Sequence, residues 1–182
     1  ATRMMPFFEH SGGGVTLTGG EVTLQPDFAA AVLGGCRQAG IHTAIETCGA
    51  CEADVLKRLA DRCDLVLYDL KLFDEELHKQ WTSASNRQIL ANVRQLAGRR
   101  VIVRLPLIPG ITDTPENVGS VARLMRDAGL PRLELLPYND AAGGKYGWLG
   151  RDYEIDALDR PEAHTDALIS AGRDAGVQVE VG

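Results

Sequence analysis

The sequence predicts an α/β fold built on a parallel sheet, and three features lead to that expectation. Short apolar segments alternate with helical patterns along the 182 residues, as in strand–helix repeats. The first five apolar segments start near residues 15, 42, 65, 101 and 132, at steps of 27, 23, 36 and 31 residues. Such steps match the length of about 30 residues for one strand–helix unit of a (β/α) barrel. No linker or shift in composition divides the chain, so we expect one domain over residues 1–182.

Each predicted strand is a short run of apolar and β-branched residues, and the strands fall at 15–18, 42–46, 65–70, 101–108, 132–136 and 177–181. Their nearly continuous apolar character is typical of a parallel sheet covered on both faces. Helices are predicted between them, from apolar spacing and from Pro and Gly at the ends. These helices fall at 26–39, 52–62, 74–81, 87–96, 115–128 and 161–175.

Composition excludes several classes of protein. Hydrophobic residues make up 45% of the chain and charged residues 24%, which is ordinary for a globular protein and not for a disordered one. No apolar run approaches the ~18 residues of a membrane-spanning helix. Acidic residues outnumber basic ones by 25 to 19, which argues against binding of nucleic acid driven by charge. Four cysteines and no visible signal peptide lead us to expect a cytoplasmic protein.

Charged residues stand in or just after the strands, towards their carboxyl ends. Glu46 ends the second strand, Asp69 and Lys71 end the third, and Arg104 lies inside the fourth. An unpaired charge buried in a sheet costs several kcal/mol, so packing alone does not explain them. Because ligands of parallel α/β folds bind at the carboxyl ends of strands, we expect a ligand site there. A solvated rim without a small ligand is the simpler alternative.

Glycines flank the first strand, in the segment SGGGVTLTGGE. The pair Gly19 and Gly20 precedes Glu21 and not the Lys-Ser/Thr of a phosphate-binding loop. Glycines after a strand let backbone groups approach a ligand closely, and a carboxylate accepts hydrogen bonds from an ammonium group. The segment therefore favours recognition of an amino-acid-like moiety over phosphate.

The pair Cys48 and Cys51 forms a CxxC pattern that is weak on its own. A structural zinc site needs a second pair of ligands, and the four histidines show no paired spacing. We therefore favour packed thiols over a metal or redox site.

Five segments together carry a resemblance to a known family, in its order and at its spacing: SGGGVTLTGGEVTLQPDF, AGIHTAIETCG, LVLYDLK, VRLPLIPGITD and LELLPYN. They resemble the glycyl radical enzyme activating enzymes, which are radical S-adenosylmethionine (SAM) proteins such as pyruvate formate-lyase activating enzyme. The resemblance implies a partial (β/α)6 barrel of parallel strands with SAM at its top. It also implies a cytoplasmic oxidoreductase that generates a glycyl radical on a partner enzyme through a 5′-deoxyadenosyl radical. The further partner would be a reductant such as flavodoxin or ferredoxin, with no nucleic acid and no membrane involved.

The resemblance also implies roles for individual residues. SAM would be bound by Gly19, Gly20, Glu21, Glu46, Lys71, Arg104 and Asn139. A monovalent cation beside SAM would be bound by Glu46, Thr47 and Asp69. Two positions depart from the family pattern, because Val22 stands where Pro is common and Asn139 where many members have His.

The family binds a [4Fe–4S] cluster through CxxxCxxC ahead of the glycine-rich strand, and this chain contains no such motif. We therefore assign no catalytic residue here. We expect the chain to be the carboxyl-terminal part of a longer activating enzyme, without the first strand–helix unit and inactive alone. Two alternatives stay open: a truncated barrel that binds a glycyl radical partner without catalysis, and a Schiff-base lyase with Lys71 as nucleophile and Asp69 as its partner.

Overall fold

The fold is seen in a computed structural model, which describes residues 4–138 and 161–182. Six strands form one sheet in the order of the chain, and each neighbouring pair is parallel. They are β1 (Gly14–Leu17), β2 (His42–Thr47), β3 (Leu65–Asp69), β4 (Val101–Pro106), β5 (Arg132–Leu136) and β6 (Gln178–Val181). The predicted fold class and all six predicted strands are confirmed, whereas the extent of the domain, 1–182, stays a prediction.

Helices connect the strands, and those in the described part of the chain are α1 (Met5–Ser11), α2 (Pro26–Gln38), α3 (Ala53–Ala60), α4 (Glu75–Thr82), α5 (Arg87–Val93), α6 (Pro115–Asp127) and α7 (Glu162–Asp174). Two short 3-10 helices lie at Val22–Leu24 and Arg94–Leu96. Neither α1 nor the first 3-10 helix is predicted from the sequence, and α1 buries no residue. Within residues 4–138 and 161–182, no helix has the length and apolar character needed to span a membrane.

Burial alternates along β3, β4 and β5, and it separates the two faces of the sheet there. On β4, Val103 and Leu105 are fully buried in the core, whereas Arg104 between them is partly exposed. On β3, Val66 and Tyr68 are buried and Asp69 is partly exposed. The expectation that both faces are covered is therefore wrong for the described residues: the helices cover one face, and the other carries the charged side chains.

The strand register brings these charges together. Asp69 of β3 lies directly opposite Arg104 of β4, and Glu46 of β2 lies opposite Leu67, two residues before Asp69. Residues two apart on a strand share a face. Consequently the charges of three neighbouring strands meet on the open face at the carboxyl ends.

Candidate functional site

A cleft of about 210 Å³ opens at the carboxyl ends of β1, β2 and β3. Its lining residues are Thr18, Gly19, Gly20, Glu21, Glu46, Thr47, Cys48, Asp69 and Lys71. Three separate sequence segments thus converge on one site, and every residue predicted to bind SAM or a cation, apart from Arg104 and Asn139, lies in it. Asn139 lies outside the described residues.

Arg104 reaches the cleft residues from β4 and joins two of their carboxylates. Its Nη2 atom lies 2.7 Å from Glu46 Oε1 and 2.9 Å from Asp69 Oδ1, and its Nε donates to the same Asp69 oxygen over 3.0 Å. The other oxygen of Glu46 accepts a hydrogen bond of 2.9 Å from the Thr18 hydroxyl. The acidic pair predicted to bind a cation therefore already has a cationic partner.

Burial governs the protonation of this group. Burial and the neighbouring charge of Glu46 raise the pKa of Asp69 above its ordinary value, against the opposing effect of Arg104. Burial works against the charge of Arg104 too, but the carboxylates of Asp69 and Glu46 outweigh it and raise the pKa of the guanidinium. Arg104 therefore stays charged beside the cleft.

The carboxylate of Glu21 accepts hydrogen bonds from neighbouring protein groups. Its Oε1 accepts hydrogen bonds from Thr23 N (3.2 Å), Thr23 Oγ1 (2.9 Å) and Thr47 Oγ1 (2.6 Å). Its Oε2 accepts from Cys48 N (3.0 Å) and Cys48 Sγ (3.1 Å). Burial raises the pKa of Glu21, but the hydrogen bonds from Thr47, Cys48 and Thr23 outweigh burial and hold that pKa below its ordinary value.

Two buried side chains, Asn92 and Tyr68, hold the loop after β2 in place, and the sequence alone does not predict this role for either. Asn92 of α5 is buried and donates to Gly49 O (2.9 Å) and Cys51 O (2.8 Å). Tyr68 packs against Gly49, whose φ of +70° suits glycine, so closely that a Cβ there would lie 1.9 Å from the phenol oxygen. Because Asn92 is more than forty residues from the loop in sequence, only the folded structure links them.

The loop after β3, which carries Lys71, is held by two further buried asparagines. Asn117 of α6 donates to Lys71 O (2.9 Å) and accepts from Phe73 N (2.9 Å). Asn86 donates to Leu72 O and Phe73 O, both over 2.9 Å. Lys71 is exposed, so this backbone support sets where its ammonium group can reach.

The cysteines do not form a metal centre. All four, Cys36, Cys48, Cys51 and Cys63, are free thiols. Across residues 4–138 and 161–182, no group of three or more His, Cys, Asp and Glu side chains is placed to hold a metal ion. The chain's cysteines therefore do not fit a [4Fe–4S] cluster, which requires several thiolate ligands.

Comparison with known protein families shows which family the chain belongs to. The model of the radical SAM superfamily matches residues 4–125, which include β1 to β4 and the whole cleft. The chain belongs to the radical SAM superfamily.

Within the radical SAM superfamily, the chain is similar in sequence to activating enzymes. It is 41% identical to the trans-4-hydroxy-L-proline dehydratase activating enzyme of Clostridioides difficile, over 85% of this chain and 53% of that protein. It is 38% identical to the isethionate sulfite-lyase activating enzyme of Desulfovibrio desulfuricans, over 97% of this chain and 58% of that protein. The chain spans about half the length of the curated relatives it matches.

A solved structure agrees with these relatives. A domain of pyruvate-formate lyase-activating enzyme from Bacteroides vulgatus superposes with a TM-score of 0.78 at 28% identity, over 93% of this chain and 99% of that one. The resemblance to activating enzymes is confirmed, and so is the likeness of the six-stranded sheet to their partial barrel. The binding roles of the individual cleft residues stay predictions.

Proposed function

We propose that this chain is the SAM-binding part of a cytoplasmic oxidoreductase that generates a glycyl radical on a partner enzyme. The observation that carries the proposal is the cleft: it gathers Gly19–Glu21, Glu46–Thr47 and Asp69–Lys71 at the carboxyl ends of neighbouring strands. Membership of the radical SAM superfamily and the similarity to activating enzymes support it.

The chemistry of the cleft suits the amino acid end of SAM. Lys71 and Arg104 are cations that match its carboxylate, and Glu46 and Asp69 are anions that match its ammonium group. Gly20 has open space where a side chain would stand, so a ligand can approach the backbone. At about 210 Å³ the cleft is smaller than the about 300–1,000 Å³ of pockets that enclose a whole ligand, which favours the methionyl end.

The residues of this chain would position SAM for the reaction. A reduced [4Fe–4S] cluster, held outside this chain, would donate the electron that splits SAM, and the resulting 5′-deoxyadenosyl radical would remove a hydrogen atom from a glycine of the partner. The cleft would orient SAM, whereas the cysteines of this chain do not form the cluster site. A reductant such as flavodoxin or ferredoxin belongs to the proposal as the source of the electron.

A monovalent cation beside the SAM carboxylate is the further part of the proposal, with Glu46, Thr47 and Asp69 as its ligands. In the structure Arg104 lies between the two carboxylates, and the Thr47 hydroxyl donates to Glu21. A cation would therefore share these two carboxylates with Arg104 or displace its guanidinium.

The test is a glycyl radical assay on the full gene product. The protein, reconstituted without oxygen, is incubated with SAM, a reductant and a trans-4-hydroxy-L-proline dehydratase or an isethionate sulfite-lyase. We expect 5′-deoxyadenosine and a glycyl radical signal in electron paramagnetic resonance with at least one partner. SAM-independent partner binding without 5′-deoxyadenosine would favour the binding module, and a borohydride-trapped adduct on Lys71 would favour the lyase.

A further inference from the structure

We propose that Glu21 and Thr23 are positioning residues: the Glu21 carboxylate ties the glycine loop, formed by Gly19 and Gly20, to the loop after β2, and it does not itself bind the ammonium group of the ligand. The inference rests on the proposed function, because it concerns the same SAM cleft. It reassigns the task of Glu21 from contact with SAM to control of the backbone that SAM would meet.

The Glu21 carboxylate already has a full set of hydrogen-bond donors from the protein. Its two oxygens accept five hydrogen bonds from Thr23, Thr47 and Cys48. A carboxylate offers about four lone-pair positions. No acceptor position is left for an ammonium group unless one of these protein donors gives way.

The donors of these hydrogen bonds come from two different segments of the chain. Thr23 belongs to the short 3-10 helix that starts directly after Glu21, whereas Thr47 and Cys48 end β2 and begin the next loop. The carboxylate thus connects the ends of two neighbouring strands. Because Gly19 and Gly20 precede Glu21 and line the cleft, the position of this side chain sets the position of their backbone groups.

The segment that Glu21 reaches across this connection is itself held in place by the protein. The loop after β2 is held by Asn92 through Gly49 O and Cys51 O, and Gly49 N donates to the Thr47 hydroxyl over 2.9 Å. Glu21 therefore joins the glycine loop to a segment that already has fixed partners. A ligand meeting Gly19 and Gly20 encounters a preorganised backbone, which lowers the entropic cost of binding.

The first experiment separates positioning from contact. Anaerobic calorimetry on the full gene product compares the binding of SAM with that of its α-keto analogue, in which a carbonyl replaces the ammonium group. In Glu21→Gln an amide NH2 group replaces one carboxylate oxygen and faces protein donors. We therefore expect the affinities for both ligands to fall by a similar factor of about ten, the effect of one or two lost hydrogen bonds. The matched control is Glu76→Gln, an exposed glutamate of α4 whose partner is Lys79, and it should leave both affinities unchanged.

Direct contact predicts the opposite pattern for the same variant. If Glu21 binds the ammonium group, Glu21→Gln lowers the affinity for SAM and leaves the affinity for the α-keto analogue at its wild-type value. That result would overturn the proposal. If wild-type protein binds neither ligand, the proposed function fails. Hydrogen exchange tests the connection between Glu21 and the loop after β2. The backbone amide of Cys48, which donates to Glu21, should exchange faster in Glu21→Gln than in the wild type. An unchanged exchange rate would overturn the positioning role of Glu21.

Thr23 provides a second and gentler test. It is 5% exposed and is not among the residues that line the cleft. Thr23→Val removes the hydroxyl donor to Glu21 at nearly constant volume, and we expect SAM affinity to fall about fivefold, with wild-type affinity restored in Thr23→Ser. Wild-type affinity in Thr23→Val, or a loss that serine does not rescue, would contradict the positioning role.

Discussion

At the scale of single residues, Arg104 decides the electrostatics of the cleft. Its guanidinium binds Glu46 and Asp69 from two neighbouring strands, and its side chain is 15% exposed. The sequence predicts that these charges converge, because each stands near the carboxyl end of a strand. It does not predict that Arg104 lies between the two acids, since that depends on side-chain directions across β2, β3 and β4.

Replacing Arg104 tests this arrangement through stability. Arg104→Ala leaves Glu46 and Asp69 facing each other without a cation, and we expect a loss of about 2 kcal/mol in unfolding free energy at pH 7, below that for a fully buried pair. A folded-state pKa that is raised means that ionisation of Asp69 opposes folding. The deficit should therefore be small near pH 4 and grow towards pH 7.

The measurement is urea denaturation of both proteins across that pH range. Arg104→Lys serves as the control, because it keeps the charge and loses the two-pronged geometry, and its loss should be smaller. A deficit of Arg104→Ala that is the same at pH 4 and pH 7 would contradict the electrostatic explanation.

The thiols of the chain give a second prediction at this scale. Burial raises the pKa of Cys48 and of Cys51, and it raises the pKa of Cys63 to about 11. Because the thiolate is the reactive form, alkylation by iodoacetamide at pH 8 should be slow at these three residues. Reaction at Cys63 should accelerate as the pH approaches its pKa.

Peptide mapping by mass spectrometry measures each rate, and protein unfolded in guanidinium gives the reference. Fast alkylation of Cys48 or Cys51 at pH 7 in the folded protein would contradict the packed-thiol interpretation and favour a redox pair.

At the scale of secondary-structure elements, the sequence predicts strands better than the loops that build the site. The six strands follow from short apolar runs in the sequence, and helix ends differ from their predictions by a few residues. The support of the loop after β2 does not follow from the sequence, because Asn92 lies on α5 and its role depends on packing. The same holds for Asn117 of α6 and the loop that carries Lys71.

Gly49 tests the packing of the loop after β2. Gly49→Ala places a Cβ against Tyr68 at a residue with φ of +70°, so steric overlap and backbone strain add up to an expected loss of about 3 kcal/mol in unfolding free energy. The matched control is Gly34→Ala in α2, where a Cβ meets nothing within 4 Å and helix propensity should stabilise the protein by about 0.5–1 kcal/mol.

Chemical denaturation of the two variants and the wild type measures both effects. Equal stability of Gly49→Ala and wild type would show that the contact with Tyr68 does not constrain the loop.

At the scale of the whole molecule, the parallel sheet explains why one end holds the site. Parallel strands bring all their carboxyl ends to the same edge, so motifs more than forty residues apart, such as Gly19–Glu21 and Asp69–Lys71, line one cleft. One face of the sheet packs against helices and the other carries the charges. This division gives a rigid core beneath a polar binding surface.

The most direct test of the account is equilibrium binding of SAM to the full gene product, measured by calorimetry without oxygen. We expect saturable binding by the wild type and affinities reduced about tenfold or more in Asp69→Asn and Lys71→Ala, the effect of losing one charged contact. Glu180→Gln, at the exposed edge strand β6 and paired with Arg132, should bind as the wild type does. Wild-type affinity in both cleft variants, with the fold intact, would contradict the assignment of the cleft to SAM.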